Sequence, residues 1–202
     1  VEREFEERPA RVRAIRKAVR LHQWAKNVLI FLPMLLGHVL RVNVVLEAML
    51  AFLSFSLCAS ATYIANDLLD IEADRRHPAK RLRPFAAGDL SVKTGVALSA
   101  VLLAGALAIA ILLLPWGFLG WLLVYLATTL SYSLYFKRVM LVDVILLSGL
   151  YTLRMLAGSA ATRVPISPWL GAFALFLFLS LAMVKRFSEL QNTRARGQTL
   201  AN

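Results

Sequence analysis

Asp67, Asp70 and Asp74 stand at i, i+3 and i+7, preceded by Asn66 and followed by Arg75, Arg76, Lys80, Arg81 and Arg83. Carried on one helix at about 100° per residue, the three carboxylates fall within an arc of roughly 60°. Carboxylates grouped in this way repel one another unless a cation lies between them. Hard divalent cations such as Mg²⁺ take oxygen ligands and often share them with substrate phosphates. The basic run supplies donors for the same phosphates. The pattern points to a magnesium–diphosphate site with Asp67, Asp70 and Asp74 as metal ligands and Asn66 hydrogen-bonding beside them. Lys80 and Arg83 are the cations expected to face phosphate. Acidic residues at a helix C-terminus oppose the macrodipole, so capping does not explain them. The alternative is a solvated helix end whose carboxylates pair with Arg75, Arg76 or Lys80. Glu72 points off the shared arc, and His77 reads equally as a structural residue.

Three further groups bear on the same chemistry. Trp24-Ala25-Lys26-Asn27 brings a cation and an amide to the start of an apolar segment. Asn27 is expected to face inward, while Lys26 and Trp24 also suit a snorkelling anchor and an aromatic belt. Tyr132 with Lys137 and Arg138 closes another apolar segment, and Lys185 and Arg186, followed by Glu189, close a third. Asp143, Tyr151 and Arg154 lie inside an apolar segment, where an ionisable side chain is a functional candidate by default. Asp143 and Arg154 share a helix face to within about 20° but stand about 16 Å apart along the axis, too far to pair. Each therefore needs a polar cavity or another helix.

The elements that must position these residues are membrane spans. The chain has 202 residues, of which 59% are hydrophobic, with a mean hydropathy of +0.66, too apolar for an ordinary soluble domain. Apolar blocks near 23–41, 44–66, 94–114, 116–136, 140–161 and 168–185 predict six helices, the first interrupted by Pro33 and Gly37. The fold class is thus an all-α polytopic bundle. Residues 1–20 read either as a basic amphipathic leader with Val12, Ile15 and Val19 on one side, lying on an anionic leaflet, or as a solvated leader. Residues 21–187 form the membrane domain, and 188–202 a tail or truncated loop.

The net charge of +11 raises nucleic-acid binding, but its distribution argues against that reading. With six spans, 20 of the 23 Lys and Arg residues fall on the side of the N-terminus, Arg41 and Arg163 fall opposite, and Arg154 is within a span. The positive-inside rule then gives a multi-pass membrane protein with a cytoplasmic N-terminus, and places the aspartates on the cytoplasmic side. The single Cys58 excludes an intramolecular disulfide and suits packing. Residues 1–20 are charged throughout, without the apolar core of a signal peptide.

Asn66-Asp67-x-x-Asp70-x-x-x-Asp74 resembles the first aspartate-rich motif of the UbiA superfamily of intramembrane prenyltransferases. Trp24-x-Lys26-Asn27 and Tyr132-x-x-x-x-Lys137-Arg138 match that superfamily in order and position. Within it, the string from Asp70 to Gly88, Leu141-Val142-Asp143 and Tyr151-x-x-Arg154 look most like decaprenyl-phosphate phosphoribosyltransferases. The resemblance implies a nine-span fold of which this chain supplies six. It also implies Mg²⁺-dependent transfer of 5-phosphoribose from phosphoribosyl diphosphate to a polyprenyl phosphate, feeding cell-envelope polymers. Asp67, Asp70 and Asp74 would hold Mg²⁺, and Asn66, Lys80, Arg83, Lys137, Arg138, Lys185 and Arg186 would surround the phosphates. A second aspartate-rich motif is expected after the sixth span, where Glu189 is the acid this chain retains. The membrane and the two substrates are the implied partners, and self-association into a homo-oligomer is compatible with the sequence. Two other functions fit the same residues: prenyl transfer from a polyprenyl diphosphate to an aromatic acceptor, and non-catalytic carriage of a lipid phosphate.

Overall fold

The computed structural model describes residues 11–133 and 140–199, without the side chains of 140–143, 189, 190 and 192–199. Among the described residues the chain is helical and has no strand. Helix α1 covers Arg11–Val19 and leads into a 3₁₀ helix, Leu21–Phe31, which runs on as α2, Leu32–Leu36. Helix α3, Val42–Leu69, is followed by the short α4, Ile71–Arg76, and a 3₁₀ turn at Lys80–Leu82. Then come α5 (Val92–Leu113), α6 (Trp116–Ser131), α7 (Met140–Thr162) and α8 (Pro168–Thr199).

Among the described residues four helices are long and apolar enough to cross a bilayer: α3, α5, Val144–Thr162 of α7 and Pro168–Ser188 of α8. The described part of α6 has 16 residues and is shorter. The first block departs from the single α-helix expected over 23–41. Pro33 has no N–H, so the Leu29 carbonyl accepts instead from Leu32 three residues on, a 3₁₀ bond. The helix ends at Leu36, and Gly37 and His38, the latter with φ 53°, turn the chain toward α3. Because a 3₁₀ helix rises about 2.0 Å per residue against 1.5 Å in an α-helix, Leu21–Leu36 still reaches about 30 Å, the thickness of a hydrocarbon core.

Helix α3 is the centre of the bundle: 56% of its apolar window is buried, against 6% for α8, which packs on α7 at the periphery. Small residues set the central contact. Ala51, Cys58 and Ala59 of α3 share a core with Ala106 and Ala110 of α5, and the Ser54 hydroxyl donates to the Ala106 carbonyl at 2.8 Å. Close approach of backbones is how helices associate in lipid, where no hydrophobic force separates one apolar side chain from another. Phe118, Leu122 and Tyr125 of α6 and Ala157 and Ala161 of α7 complete this core. The 3₁₀ helix rests on α7 at Gly158, where any Cβ would overlap the Ile30 carbonyl group.

The leader helix docks on the protein. Ala14 and Ala18 of α1 are buried against Ile64 of α3 and against Phe85 and Leu90, whereas Val12 is exposed. The Ser60 hydroxyl donates to the Val19 carbonyl at 2.8 Å, and Lys17 Nζ donates to the Leu82 carbonyl at 2.7 Å. One end of the bundle therefore gathers α1, the end of α3 and the segment after it. At the other end Arg163, just past α7, pairs with Glu47 of α3 at 3.0 Å.

Candidate functional site at the carboxylate end of the bundle

Asp67 lies two residues before the end of α3, where the chain faces α1 and the loop after α4. The helix does not continue to Asp74: it stops at Leu69, and Asp70, at φ −98° and ψ 10°, turns the chain into α4. The geometry of a single three-carboxylate face is thus replaced by two helices meeting at a corner. Asp67 and Asp74 are both buried, 3% exposed, while Asp70 at the corner is half-buried.

Two guanidinium groups join the corner. Arg83, in extended backbone after the 3₁₀ turn, donates from Nη1 to Asp74 Oδ2 at 2.6 Å and to Asp67 Oδ1 at 3.1 Å. Arg20 donates from Nη2 to Asp67 Oδ1 at 2.6 Å and Oδ2 at 2.9 Å. Its backbone is left-handed, φ 55° and ψ 48°, and makes the bend between α1 and the 3₁₀ helix. The buried carboxylates are therefore balanced by Arg20 and Arg83, not by Arg75, Arg76 or Lys80. Arg75 donates to the Ala86 carbonyl at 3.3 Å, and Arg76 makes a 4.0 Å contact with the exposed Glu72. His77 has a local task, its Nδ1 accepting from the backbone N–H groups of Ala79 and Lys80 at 3.2 and 3.4 Å.

These residues open onto a cavity of about 400 Å³, with Asn66, Asp67 and Asp70 on one wall, Arg20, Lys80 and Arg83 supplying cations, and Tyr63, Tyr132 and Ser133 completing it. Asn66 Oδ1 is buried there without a hydrogen-bond partner. Among the described residues no three His, Cys, Asp or Glu side chains converge to hold a metal ion. The donors on the wall are nonetheless of the kind Mg²⁺ takes: an orphaned amide oxygen beside two carboxylates. So few protein ligands suit an ion that completes its shell with substrate phosphate and water.

Deeper in the bundle Arg154 is buried at 4% exposure. Its Nε donates to Asn27 Oδ1 at 2.8 Å, and its Nη1 donates to the Leu150 carbonyl one turn back. The guanidinium carbon lies 5.6, 5.3 and 5.4 Å from the ring centres of Phe55, Tyr125 and Tyr151, an aromatic cage. Asn27, fully inside, donates in turn to Ser56 Oγ at 2.9 Å. Trp24 is not a belt residue: its indole N–H donates to Ser60 Oγ at 3.0 Å and its ring packs edge-on against Phe52.

Of the residues singled out from sequence, the outer cavity brings together Asn66, Asp67, Asp70, Lys80, Arg83 and Tyr132, with Asp74 behind Arg83. Lys26, Asn27, Tyr151 and Arg154 lie one layer further in, and Lys185 borders the α7–α8 face. Arg186 is half-buried. Lys137 and Arg138, and the side chains of Asp143 and Glu189, lie outside the described residues. Arg20 was missed. In the sequence it is one more cation of a basic leader, and its sole mark is its place directly before the apolar segment.

The fold and the site define an intramembrane helical bundle with an acidic and basic cavity at one end, and the chain belongs to the UbiA prenyltransferase family, whose profile matches residues 28–200. With its apolar helices, that membership makes it an integral membrane protein. It is 47% identical over 172 residues to protein y4nM of Sinorhizobium fredii, a match covering 85% of this chain and 33% of that protein. It is 38% identical over 194 residues to decaprenyl-phosphate phosphoribosyltransferase of Mycobacterium tuberculosis, covering 94% of this chain and 64% of that one. A UbiA homologue from Archaeoglobus fulgidus, solved bound to DMAPP and Mg²⁺, shares its fold at a TM-score of 0.69 and 22% identity, over 82% of this chain and 60% of that one. The chain thus spans 33% to 64% of the length of these two curated relatives.

Proposed function

We propose that this chain carries out Mg²⁺-dependent transfer of 5-phosphoribose from phosphoribosyl diphosphate to a polyprenyl phosphate. The reaction takes place at the cytoplasmic face of a bacterial inner membrane, in the making of cell-envelope precursors. The observation that carries this reading is the outer cavity, lined by the orphaned Asn66 oxygen, Asp67 and Asp70 together with Arg20, Lys80 and Arg83. Oxygen ligands for a metal and donors for phosphate line one space. The likeness to the mycobacterial phosphoribosyltransferase supports the choice of donor within the family, as does the basic density, which suits a donor bearing a phosphate besides its diphosphate.

Asn66, Asp67 and Asp70 would hold Mg²⁺, with Asp74 supporting them through Arg83. When bound, the ion neutralises charge on the diphosphate and eases its departure. Arg20 and Arg83 hold Asp67 and Asp74 in place, and with Lys80 they donate hydrogen bonds to phosphate oxygens. As the bond from C1 to the diphosphate oxygen breaks, its electron pair leaves with the diphosphate and C1 takes on oxocarbenium character. An oxygen of the lipid phosphate then forms the new bond to C1. The acceptor is already an anion, so the step needs no general base.

The test is detergent-solubilised protein with Mg²⁺, labelled phosphoribosyl diphosphate and a polyprenyl phosphate. Label is expected to enter the lipid phase, and to stay in water with Asp67→Asn. Transfer seen only with polyprenyl diphosphate and 4-hydroxybenzoate would replace this reading with prenyl transfer. No transfer of either kind by a full-length protein would leave the lipid-phosphate carrier.

A further inference from the structure

Arg20 and Arg83 meet the same carboxylate on different terms. Arg20 covers both oxygens of Asp67, its Nη2 donating to Oδ1 at 2.6 Å and to Oδ2 at 2.9 Å. Arg83 reaches Oδ1 alone, at 3.1 Å, and makes its shorter contact, 2.6 Å, with Asp74. Among the described residues Asp67 is the one carboxylate paired with Arg20, whereas Arg83 has two. If Asp67 took another partner, Arg83 would stay anchored on Asp74, and Arg20 would be left without an anion.

The backbone on either side of Arg20 is pinned. Ala18 is fully buried, and the Val19 carbonyl accepts from the Ser60 hydroxyl, whose oxygen accepts in turn from the Trp24 indole N–H. Between these ties Arg20 is left-handed, φ 55°, a conformation that a residue with a Cβ adopts only where its surroundings hold it. The bend fixes where the side chain starts and leaves its end on the open cavity. The Arg20 side chain is 22% exposed and lines that space, against 3% exposure for Asp67. Its guanidinium carbon lies 5.2 Å from the centre of the Tyr63 ring, which lines the same cavity and offers an uncharged resting face.

A divalent ion competes with Arg20 for one carboxylate. Mg²⁺ takes carboxylate oxygens directly, and a guanidinium bonded to both oxygens of Asp67 fills the positions such an ion needs. Two cations on one carboxylate also repel each other. The ion can therefore take Asp67 only as Arg20 lets go, and Oδ2, which Arg83 does not touch, is the oxygen that release uncovers.

We infer that Arg20 is an exchangeable latch: it occupies Asp67 until Mg²⁺ displaces it, and the released guanidinium then donates to the diphosphate that binds with the metal. The inference rests on the function argued above and adds a coupling to it, in which the metal uncovers part of the anion site for its own substrate. Arg83 is the fixed member of the pair and Arg20 the mobile one. Metal and diphosphate then favour each other through a protein side chain as well as through direct coordination, and by linkage each raises the other's affinity by the same factor. Either ligand alone binds at a disadvantage, the ion because it must displace the latch and the anion because the latch is engaged.

Binding tests this without turnover. Mn²⁺, which takes the same oxygen ligands and is counted by electron paramagnetic resonance, is titrated onto the full chain in phosphatidylcholine nanodiscs. Inorganic diphosphate and phosphoribosyl diphosphate are then titrated by calorimetry at saturating Mg²⁺. Arg20→Gln is expected to bind Mn²⁺ alone about tenfold more tightly than wild type, because a charge-assisted pair no longer competes, and diphosphate about tenfold more weakly. Arg20→Lys, which keeps the charge without the fork, should fall between the two in both titrations. Lys80→Gln removes a cation that lines the cavity, and should weaken diphosphate while changing Mn²⁺ affinity less than about threefold.

The opposite signs separate a latch from a residue that merely holds the fold, whose loss would weaken both ligands. Mn²⁺ bound no more tightly by Arg20→Gln than by Lys80→Gln, unchanged diphosphate affinity in Arg20→Gln, or no Mn²⁺ binding by any of the proteins would overturn the inference. If Arg20→Gln does not fold, Arg20→Lys decides, and wild-type affinity for Mn²⁺ in that variant would overturn it. Opposite shifts with inorganic diphosphate in a protein that does not bind phosphoribosyl diphosphate would support the latch and remove the proposed donor. Phosphoribosyl diphosphate bound by a protein that gains no Mn²⁺ affinity in Arg20→Gln would keep the donor and sink the latch.

Discussion

Arg83 holds the corner at which the candidate site is built, and removing its charge has a calculable cost. Arg83→Gln leaves Asp74, whose side chain is 4% exposed, without the guanidinium that lies 2.6 Å away. Asp67 loses one contact at 3.1 Å but keeps Arg20 at 2.6 Å. Breaking a fully buried ion pair costs about 3–5 kcal/mol. Arg83 is itself 28% exposed, so water partly screens the pair, and we expect about 2–3 kcal/mol. For a chain of this size that lowers the melting temperature by roughly 5–10 °C. Asp74→Asn should cost less, because Arg83 then still has Asp67. Adding Asp74→Asn to Arg83→Gln should restore about half of the loss, since no buried charge is left uncompensated. The measurement is thermal unfolding of purified protein in detergent without added Mg²⁺. The internal standard is Arg76→Gln, whose contact with Glu72 spans 4.0 Å between side chains 84% and 86% exposed, and which should cost below about 0.5 kcal/mol. Equal melting temperatures for Arg83→Gln and Arg76→Gln, or simple additivity with Asp74→Asn, would refute the buried clamp.

Other perturbations probe the layers around that corner. Gly158→Ala places a methyl group on the Ile30 carbonyl and should cost about 1–3 kcal/mol by overpacking, while Gly120→Ala, with nothing within 4 Å, should be neutral or slightly stabilising; both are read by thermal unfolding. Asn27→Leu removes the acceptor of Arg154 Nε and the donor to Ser56, and should lower stability by about 2–3 kcal/mol in the same assay. Mg²⁺ with inorganic diphosphate at about 100 times its dissociation constant should stabilise the wild type by about 2.7 kcal/mol, reversibly on chelation. Asp70→Asn should abolish that shift, and its persistence would remove Asp70 from the metal site.

Much of this protein is legible along the chain because its signals are local. A bilayer's thickness imposes long apolar runs, so α3, α5, α6, α7 and α8 fall close to the blocks read from composition. The ends of those runs mark where polar chemistry is permitted, which is why Asn66, Asp67, Asp70 and Arg83 stand out and do line one cavity. Two local readings failed for reasons beyond periodicity. A 3.6-residue repeat carries on through Asp70, yet the helix stops there and the carboxylates meet across a corner. Apolar spacing likewise suited a continuous first helix, but the N–H missing at Pro33 and the close seat on Gly158 accompany a 3₁₀ segment.

The amino-acid sequence by itself determined the membrane character, the positions of the apolar helices, the grouping of acid and base at their ends, and the family. The tertiary structure alone decided the partners. Arg20 reaches Asp67 across 47 positions, and Arg154 reaches Asn27 across 127. Such pairings depend on which helix faces which, and in lipid that is decided by the close packing of small residues such as Ala51, Ala106 and Gly158, not by the ionic side chains themselves. Composition therefore shows that a buried arginine needs a neighbour, and only the packed bundle shows that the neighbour is an amide within an aromatic cage.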